Sequence, residues 1–178
     1  GIFSFNGERC TENSRLFVHE AIYDKFVEAL KERVHHMIIG DPMDQATQVG
    51  PLIHTGHYNK VKSYIELAKE EGAKVISGHV PEEHHKGNFV PPTLLLNVTN
   101  DMRVAKEEIF GPVLAVMTFE DEDEVIQLAN DTKYGLAGYV WTKDIQRGHR
   151  VAQAIDSGML WINSQNVRDL RIPFGGSK

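Results

Sequence analysis

The chain has little of three things: cysteine, net positive charge and long apolar segments. It holds one cysteine in 178 residues, so it forms no internal disulfide, and a reducing compartment suits it. Acidic residues outnumber basic ones by 25 to 19, for a net charge of -6. No basic field is therefore available to neutralise nucleic-acid phosphates. No apolar run approaches the roughly 20 residues that span a bilayer, and the first residues do not resemble a signal peptide. We expect a cytoplasmic protein that binds neither nucleic acid nor membrane.

The composition is otherwise that of a globular protein. Apolar residues make up 41% of the chain and charged residues 25%, and a chain of this length can bury a substantial core. The sequence begins at Gly1 and stops at "PFGGSK", and both ends look cut. We therefore expect a piece of a longer protein.

Apolar periodicity predicts the order of strands and helices. After a strand at 16–19, an amphipathic helix is predicted from residues at three- and four-residue steps: Ile22, Phe26, Ala29, Leu30, Val34 and Met37. Further helices are predicted over 55–71, in "EDEDEVIQLAND" and over about 144–155, whereas 80–88 is a polar loop. The other predicted strands lie in "KVISG", "PTLLLNV", "VLAVMTF", "GYVWT" and "GMLWIN".

This alternation of strands and helices indicates an α/β fold. Strands joined by helices of this length form right-handed crossovers and a mainly parallel sheet that is covered on both faces. The chain has no internal repeat, low-complexity tract or linker. We predict one α/β domain over residues 1–178.

The single cysteine, Cys10, lies in "FNGERCTENSR" among small and polar neighbours. Asn6-Gly7 is a turn dipeptide, so Cys10 is expected where a loop enters a tight turn or a helix. Backbone N–H groups at such a place can hold a thiolate or an oxyanion, and Arg9 adds positive charge. A lone cysteine is more often an inert buried residue, which would predict apolar neighbours. From local chemistry alone, both interpretations stay open.

Two further stretches could contribute to a site. In "KEEIFGPVL" a glutamate could accept hydrogen bonds from a sugar and the phenylalanine could pack on a ring; the alternative is a structural loop. In "WINSQNVRDLRIPFGGSK" a strand ends at Asn163, and a loop with Arg168 and Arg171 follows. The carboxyl ends of parallel strands are where α/β proteins bind ligands. The alternative for this loop is a solvated basic surface.

The nine histidines do not predict a metal site. The pair at 35–36 falls in a helix, where adjacent residues cannot face one ion, and the pair at 84–85 falls in the polar loop. His54 and His57 have the spacing of a helical pair, but no third ligand lies nearby in sequence. We assign no metal.

Taken in order, the three stretches resemble the aldehyde dehydrogenase superfamily. The segment "FSFNGERCTENSR" is similar to the family's catalytic-cysteine segment, and "EEIFGPV" reproduces a family signature. A "PFGG" stretch after a strand ending in asparagine is again similar. The resemblance covers the whole chain. It implies a three-layer α/β/α, Rossmann-like catalytic domain, with most of the nucleotide-binding and oligomerisation segments outside these residues.

The resemblance implies roles for five residues. Cys10 resembles the family nucleophile. Glu108 is expected to hold the nicotinamide ribose of NAD, and Phe110 to pack near the nicotinamide. Lys60 and His57 fall where the family contacts the adenosine ribose, although glutamine is common at position 57. NADP is the alternative cofactor.

Departures from the family pattern indicate a subfamily rather than a lost function. Glutamine is commoner at Glu8, and a small residue is commoner at Glu12. The stretches "NGERCTENSR" and "NSQNVRDLRIPFGG" look most like semialdehyde dehydrogenases of bacterial homoprotocatechuate breakdown. Arg168 aligns where many relatives have an aromatic residue, and its planar fork matches a substrate carboxylate. We expect Arg168, Arg171 and Asn163 to bind substrate.

The implied activity is NAD-dependent oxidation of an aldehyde to an acid, through a thiohemiacetal and a thioester on Cys10. The family's general base and oxyanion asparagine precede the cysteine and lie outside this chain, so the chain alone is expected to show no turnover. The full-length enzyme is expected to be a homodimer or homotetramer. Two alternatives stay open: another semialdehyde or betaine-aldehyde dehydrogenase, and an isolated α/β binding module without catalysis.

Overall fold

The computed structural model describes residues 1–165 and 167–178, which form two compact units. Unit one is Gly1–Thr118 and unit two is Phe119–Lys178. The predicted α/β class is confirmed, because strands and helices alternate and most of the described strand pairs are parallel. The single domain over the whole chain stays a prediction.

Unit one contains a four-stranded sheet and three helices. Its strands are β1 (Arg15–His19), β2 (Lys74–Ser77), β3 (Thr93–Leu96) and β4 (Val113–Phe119), whose last residue begins unit two. Its helices are α1 (Glu20–His35), α2 (Thr55–Glu70) and the short α3 (Arg103–Lys106). The strand order is β1-β4-β3-β2, and β3 runs parallel to β4 with Thr93 opposite Val113.

The edge strand β2 is the exception to the parallel arrangement. It runs antiparallel to β3, with Lys74 opposite Leu96. A parallel return would need a crossover connection, which is usually a helix. The connection here contains only a 3-10 turn, Glu82–His84, within the loop that the polar sequence predicted. The chain therefore turns back beside the strand it has just left.

Alternation along β3 places a core on each face of the sheet, because successive side chains point to opposite faces. Leu94 and Leu96 pack on one side with Val27 of α1. Leu95 packs on the other side with Val61 of α2. Helices thus cover both faces, which confirms the predicted three layers.

The buried face of α1 matches the predicted one only in its second half, where Leu30 and Val34 pack on the sheet. Ile22 and Phe26 are 55% and 41% exposed, and the helix ends at His35, before Met37. The residues that pack on the sheet are Tyr23, Val27, Leu30 and Val34. In the first two turns, contact with the sheet selects Tyr23 and Val27 instead of the adjacent Ile22 and Phe26.

Unit two is a βαβ arrangement preceded by a helix. Its elements are α4 (Glu122–Asn130), β5 (Ala137–Val140), α5 (Ile145–Ala154) and β6 (Met159–Ile162). The two strands pair in parallel, with Ala137 opposite Met159, and α5 is the crossover between them. Asp144 caps α5, because its carboxylate accepts a hydrogen bond from the Gln146 N–H at 2.9 Å.

Candidate active site

Residues 4–12, here termed the cysteine loop, begin with backbone in the left-handed region. The φ angle is 59° at Asn6 and 71° at Gly7. The Asn6 side chain holds this shape with both ends of its amide. Its Oδ1 accepts from the Gly50 N–H at 2.7 Å, and its Nδ2 donates to the Pro51 carbonyl at 3.1 Å. The cysteine loop is thereby fastened to the segment that precedes α2.

Gly7 lies directly against the Gly111-Pro112 peptide. A Cβ at Gly7 would lie 2.6 Å from Pro112 N and closer still to the Gly111 carbonyl, so only glycine fits there. Gly111 in turn lies against α2, where a Cβ at position 111 would be 2.7 Å from Cγ2 of Val61. These two glycines let the cysteine loop, segment 108–112 and α2 meet.

Cys10 is exposed, whereas the residue after it, Thr11, is completely buried. The backbone turns at this point, since the Glu12 N–H donates to the Arg9 carbonyl at 3.1 Å. The alternative of a buried Cys10 is therefore wrong, whereas its reactivity stays a prediction. An exposed thiol on a fixed loop is accessible to a small electrophile.

Arg9, before Cys10 in the sequence, forms an ion pair with Glu12, after it. Arg9 Nη2 is 2.8 Å from Glu12 Oε1, and the Glu12 side chain is only 2% exposed. Ser4 Oγ donates to the same oxygen at 3.1 Å. Burial raises the pKa of the Glu12 carboxyl above its ordinary value, and the Arg9 charge opposes that rise. The pair fixes the chain before and after Cys10.

The two acids of "EEIFGPV" have different surroundings. Glu107 accepts hydrogen bonds from Tyr64 Oη at 2.6 Å and from Arg103 Nε at 2.8 Å, so it holds α2 and α3 together. Glu108 is exposed, Ile109 is buried after it, and Phe110 is half-buried. Glu108 is thus the more exposed of the two acids, and its contact with a ligand stays a prediction.

Helix α2 holds the main chain of segment 108–112. His57 Nε2 donates to the Phe110 carbonyl at 2.6 Å, and Lys60 Nζ donates to the Glu108 carbonyl at 3.0 Å. The two side chains lie one helical turn apart, on one face of α2. The structure therefore brings together the four residues that the resemblance assigned to the cofactor. It also shows that His57 and Lys60 direct their polar ends to the protein main chain.

The sequence did not indicate a role for Glu8, which links the cysteine loop to α2. Its Oε1 accepts the Ile53 N–H at 3.1 Å and lies 3.5 Å from His57 Nε2. Both side chains are mostly buried. Nothing in the sequence around Glu8 indicated that it would contact residues 53 and 57, which lie about 45 to 50 positions later.

In unit two, the side chain of Asn163 is bonded to the main chain of Thr142. Its Oδ1 accepts the Thr142 N–H at 2.9 Å, and its Nδ2 donates to the Thr142 carbonyl at 2.7 Å. Asn163 has a φ of 51°, just after β6. This geometry makes Asn163 a structural link between the ends of β5 and β6, and substrate binding by it stays a prediction.

The two arginines of unit two differ in their contacts. Arg171 Nε lies 2.9 Å from an oxygen of Asp169, and this guanidinium holds the pKa of Asp169 below its ordinary value. Arg168 lies over the Phe174 ring, with its guanidinium carbon 4.9 Å from the ring centre. Arg171 is thus engaged by a carboxylate of its own loop. Substrate binding by Arg168 and Arg171 stays a prediction.

The described residues also limit other kinds of site. Among residues 1–165 and 167–178, no three His, Cys, Asp or Glu side chains are grouped to hold a metal ion. Within the same part of the chain, no helix is long and apolar enough to cross a membrane. His54 caps α2 by accepting the His57 N–H, which gives it a structural role.

With this geometry established, comparison with known proteins identifies the class. The pattern of the aldehyde dehydrogenase family matches residues 1–178, and the chain belongs to that family. It is 50% identical over 183 residues to a 5-carboxymethyl-2-hydroxymuconate semialdehyde dehydrogenase of Escherichia coli, covering 99% of this chain and 39% of the relative. It is also 50% identical over 181 residues to a betaine aldehyde dehydrogenase of Brucella anthropi, covering 100% and 37%.

Solved structures agree with this assignment. HpcC from Thermus thermophilus superposes with a TM-score of 0.94 at 47% identity, covering 99% of this chain and 36% of that one. The NAD⁺ complex of an aldehyde dehydrogenase from Bacillus cereus gives a TM-score of 0.95 at 43% identity, covering 100% and 36%. The chain thus spans a little over a third of the length of these relatives.

Proposed function

We propose that this chain is the cysteine-bearing catalytic domain of an NAD-dependent aldehyde dehydrogenase. The observation that carries the proposal is the packing of the cysteine loop on segment 108–112. That packing places the exposed Cys10 on a loop whose neighbour presents Glu108 and Phe110. A nucleophile and a cofactor surface must lie close together for hydride transfer from a substrate bound to the nucleophile.

The residues of unit one fit a nicotinamide nucleotide. Glu108 is an exposed carboxylate and can accept hydrogen bonds from two ribose hydroxyls. Phe110 offers the face of a half-buried ring. When bound, NAD supplies a hydride acceptor. Lys60 contact with the adenosine ribose and the use of NADP instead of NAD remain part of the proposal.

Cys10 performs the covalent chemistry in this mechanism. Its thiolate adds to the aldehyde carbon, the C–S bond forms, and the carbonyl pair moves to oxygen to give a thiohemiacetal oxyanion. The Cys10 backbone N–H is the donor that we assign to this oxyanion. Once the hydride has left that carbon, the oxygen pair re-forms the carbonyl and a thioester remains on the sulfur.

Hydrolysis then returns the free enzyme. Water loses a proton to a general base and adds to the thioester carbon, the C–S bond breaks, and the acid leaves with Cys10 as a thiolate. We assign the base to a glutamate outside this chain. The chain alone is accordingly expected to show no NAD-dependent turnover.

A carboxylated semialdehyde is the substrate class that we propose, with 5-carboxymethyl-2-hydroxymuconate semialdehyde as its representative. Two observations support it: the relative of that name at 50% identity, and Arg168, whose guanidinium can pair with a substrate carboxylate. Betaine aldehyde, which carries a cation, is the second candidate, because a relative of that name is equally identical.

The test uses a full-length dehydrogenase that carries this chain. We expect it to form NADH with acidic semialdehydes and the Cys10→Ser variant to lose at least about 1,000-fold in kcat, since the nucleophile is removed. Iodoacetamide should label Cys10 faster than it labels free cysteine. A Cys10→Ser protein that retains its rate, or a thiol no more reactive than free cysteine, contradicts the proposal and favours the binding module.

A further inference from the structure

We propose that His57 and Glu8 act together as positioning residues that lock the cysteine loop to segment 108–112. The inference rests on the proposed function, because it assigns them the task of setting Cys10 against the surface presented by Glu108 and Phe110. His57 Nε2 lies between two acceptors, 2.6 Å from the Phe110 carbonyl and 3.5 Å from Glu8 Oε1.

The chemistry of the two acceptors fixes the proton on His57. A carbonyl oxygen can only accept a hydrogen bond, so Nε2 must carry hydrogen to bond Phe110 at this distance. The Glu8 carboxylate favours the same arrangement, because its negative charge attracts that N–H. A donor at position 57 and an acceptor at position 8 thus support each other.

The surroundings make this arrangement rigid. The side chains of His57 and Glu8 are 12% and 16% exposed, so little water competes for their bonds. Glu8 also accepts the Ile53 N–H at 3.1 Å, which holds its carboxylate in place. On the other side, Phe110 has a φ of 61°, a conformation that a non-glycine residue keeps only when its neighbours enforce it.

Loss of the contact between His57 and Glu8 should therefore disturb both the cysteine loop and segment 108–112. Glu8 is two residues before Cys10, and the Phe110 carbonyl belongs to the residue whose ring is proposed to pack on the cofactor. Removing His57 removes the hydrogen bond to the Phe110 carbonyl and one of the two contacts described for the Glu8 carboxylate, the other being the Ile53 N–H. A misplaced reacting group costs catalysis without removing any reacting atom.

A double-mutant cycle in the full-length enzyme tests the proposal. We expect Glu8→Ala and His57→Ala each to lower kcat about 10-fold, with the double variant little worse than either, because residues that act as a unit are not additive. His57→Gln, whose amide can still donate to Phe110, should recover most of the rate. Additive losses near 100-fold or an unchanged kcat in both single variants would overturn the proposal.

A second measurement needs neither aldehyde nor NAD. The rate of Cys10 alkylation by iodoacetamide should change about 3-fold or more in folded His57→Ala, and remain unchanged in His35→Ala, an exposed histidine on α1. A His57→Ala protein that only melts earlier, with wild-type alkylation, has lost stability rather than positioning, and this outcome defeats the inference. If the wild type oxidises no aldehyde, the proposed function fails while alkylation still decides the coupling.

Discussion

Gly7 and Gly111 touch through their main chains, although one precedes the cysteine by three residues and the other lies in the "EEIFGPV" stretch. No side chain separates them, and the Pro112 nitrogen completes the contact. The sequence elements most typical of the family are therefore joined by backbone packing. The two stretches are far apart in the sequence but are in direct contact in the fold.

A Gly7→Ala substitution tests this contact. The new Cβ would clash with the Gly111-Pro112 peptide and would also sit at a φ of 71°. Gly72→Ala is the matched control, because Gly72 has a φ of 91° but nothing within 4 Å of an added Cβ. We expect Gly72→Ala to cost about 1 kcal/mol for its backbone conformation, and Gly7→Ala at least twice as much. Urea unfolding measures the free energy of unfolding of both variants. Equal losses would show that the close approach of Gly7 to Gly111 does not affect stability.

A substitution at Asn163 separates a structural role from substrate binding. Asn163→Ala removes two hydrogen bonds to Thr142 and leaves a β-carbon at a φ of 51°. We expect a loss of about 2 kcal/mol in the free energy of unfolding. Asn163→Gly relieves the backbone strain and should recover part of this loss. If Asn163→Ala is as stable as the wild type and raises only the KM for aldehyde, the residue binds substrate instead.

The two arginines of unit two are expected to differ in their effect on specificity. Arg168→Ala should lower the ratio of kcat/KM for acidic over neutral aldehydes about 10-fold in the full-length enzyme, since it loses a charge-assisted bond. Arg171→Ala should have a smaller effect, because Asp169 already holds its guanidinium. Lys143→Ala, which removes an exposed charge from the same unit, is the control. An unchanged ratio in Arg168→Ala rules out its role in selecting acids.

The cap of α5 predicts a pH dependence of stability. Hydrogen bonds from the N–H groups of Arg147 and Gln146 lower the pKa of Asp144 from its ordinary value of 3.8. A lowered folded-state pKa means that the stabilisation is present above 3.8 and is lost as the pH falls through the folded-state value. Asp144→Asn keeps a capping side chain and removes the titration.

Thermal unfolding followed by circular dichroism over that acidic range measures the effect. The wild type should lose more of its melting temperature than Asp144→Asn as the pH falls. Asp123→Asn, an exposed acid on α4, should behave as the wild type does. Equal pH profiles for wild type and Asp144→Asn would show that the cap does not contribute.

Much of the fold follows from local patterns in the sequence. The helix predicted over 55–71 is Thr55–Glu70, and its predicted apolar face, with Val61 and Ala68 buried, packs as expected. The error in the first turns of α1 has a different cause: Phe26 and Val27 are adjacent apolar residues, and periodicity cannot say which one meets the sheet. The antiparallel β2 was missed because the direction of a strand depends on its connection.

The residues of the candidate site were predicted from the sequence, whereas the contacts between them were not. Cys10, Glu108 and Phe110 were predicted from their motifs and the family resemblance, and their roles stay predictions. The bonds that position them were not predicted, because each depends on a distant partner. The Asn6-Gly7 dipeptide predicted a turn, but nothing local indicated that the Asn6 amide bonds to the main chain at Gly50 and Pro51.

The fastening of the cysteine loop has a consequence for synthesis of the chain. The residues that hold it, Asn6 and Gly7, must wait for partners at positions 50–51 and 111–112. As the protein emerges from the ribosome, Cys10 is therefore made before the residues that come to surround it. Contacts between residues so far apart form slowly, because a long loop must close first. In the nascent chain, the thiol is consequently exposed to oxidants and electrophiles long before any site exists to direct its reactivity.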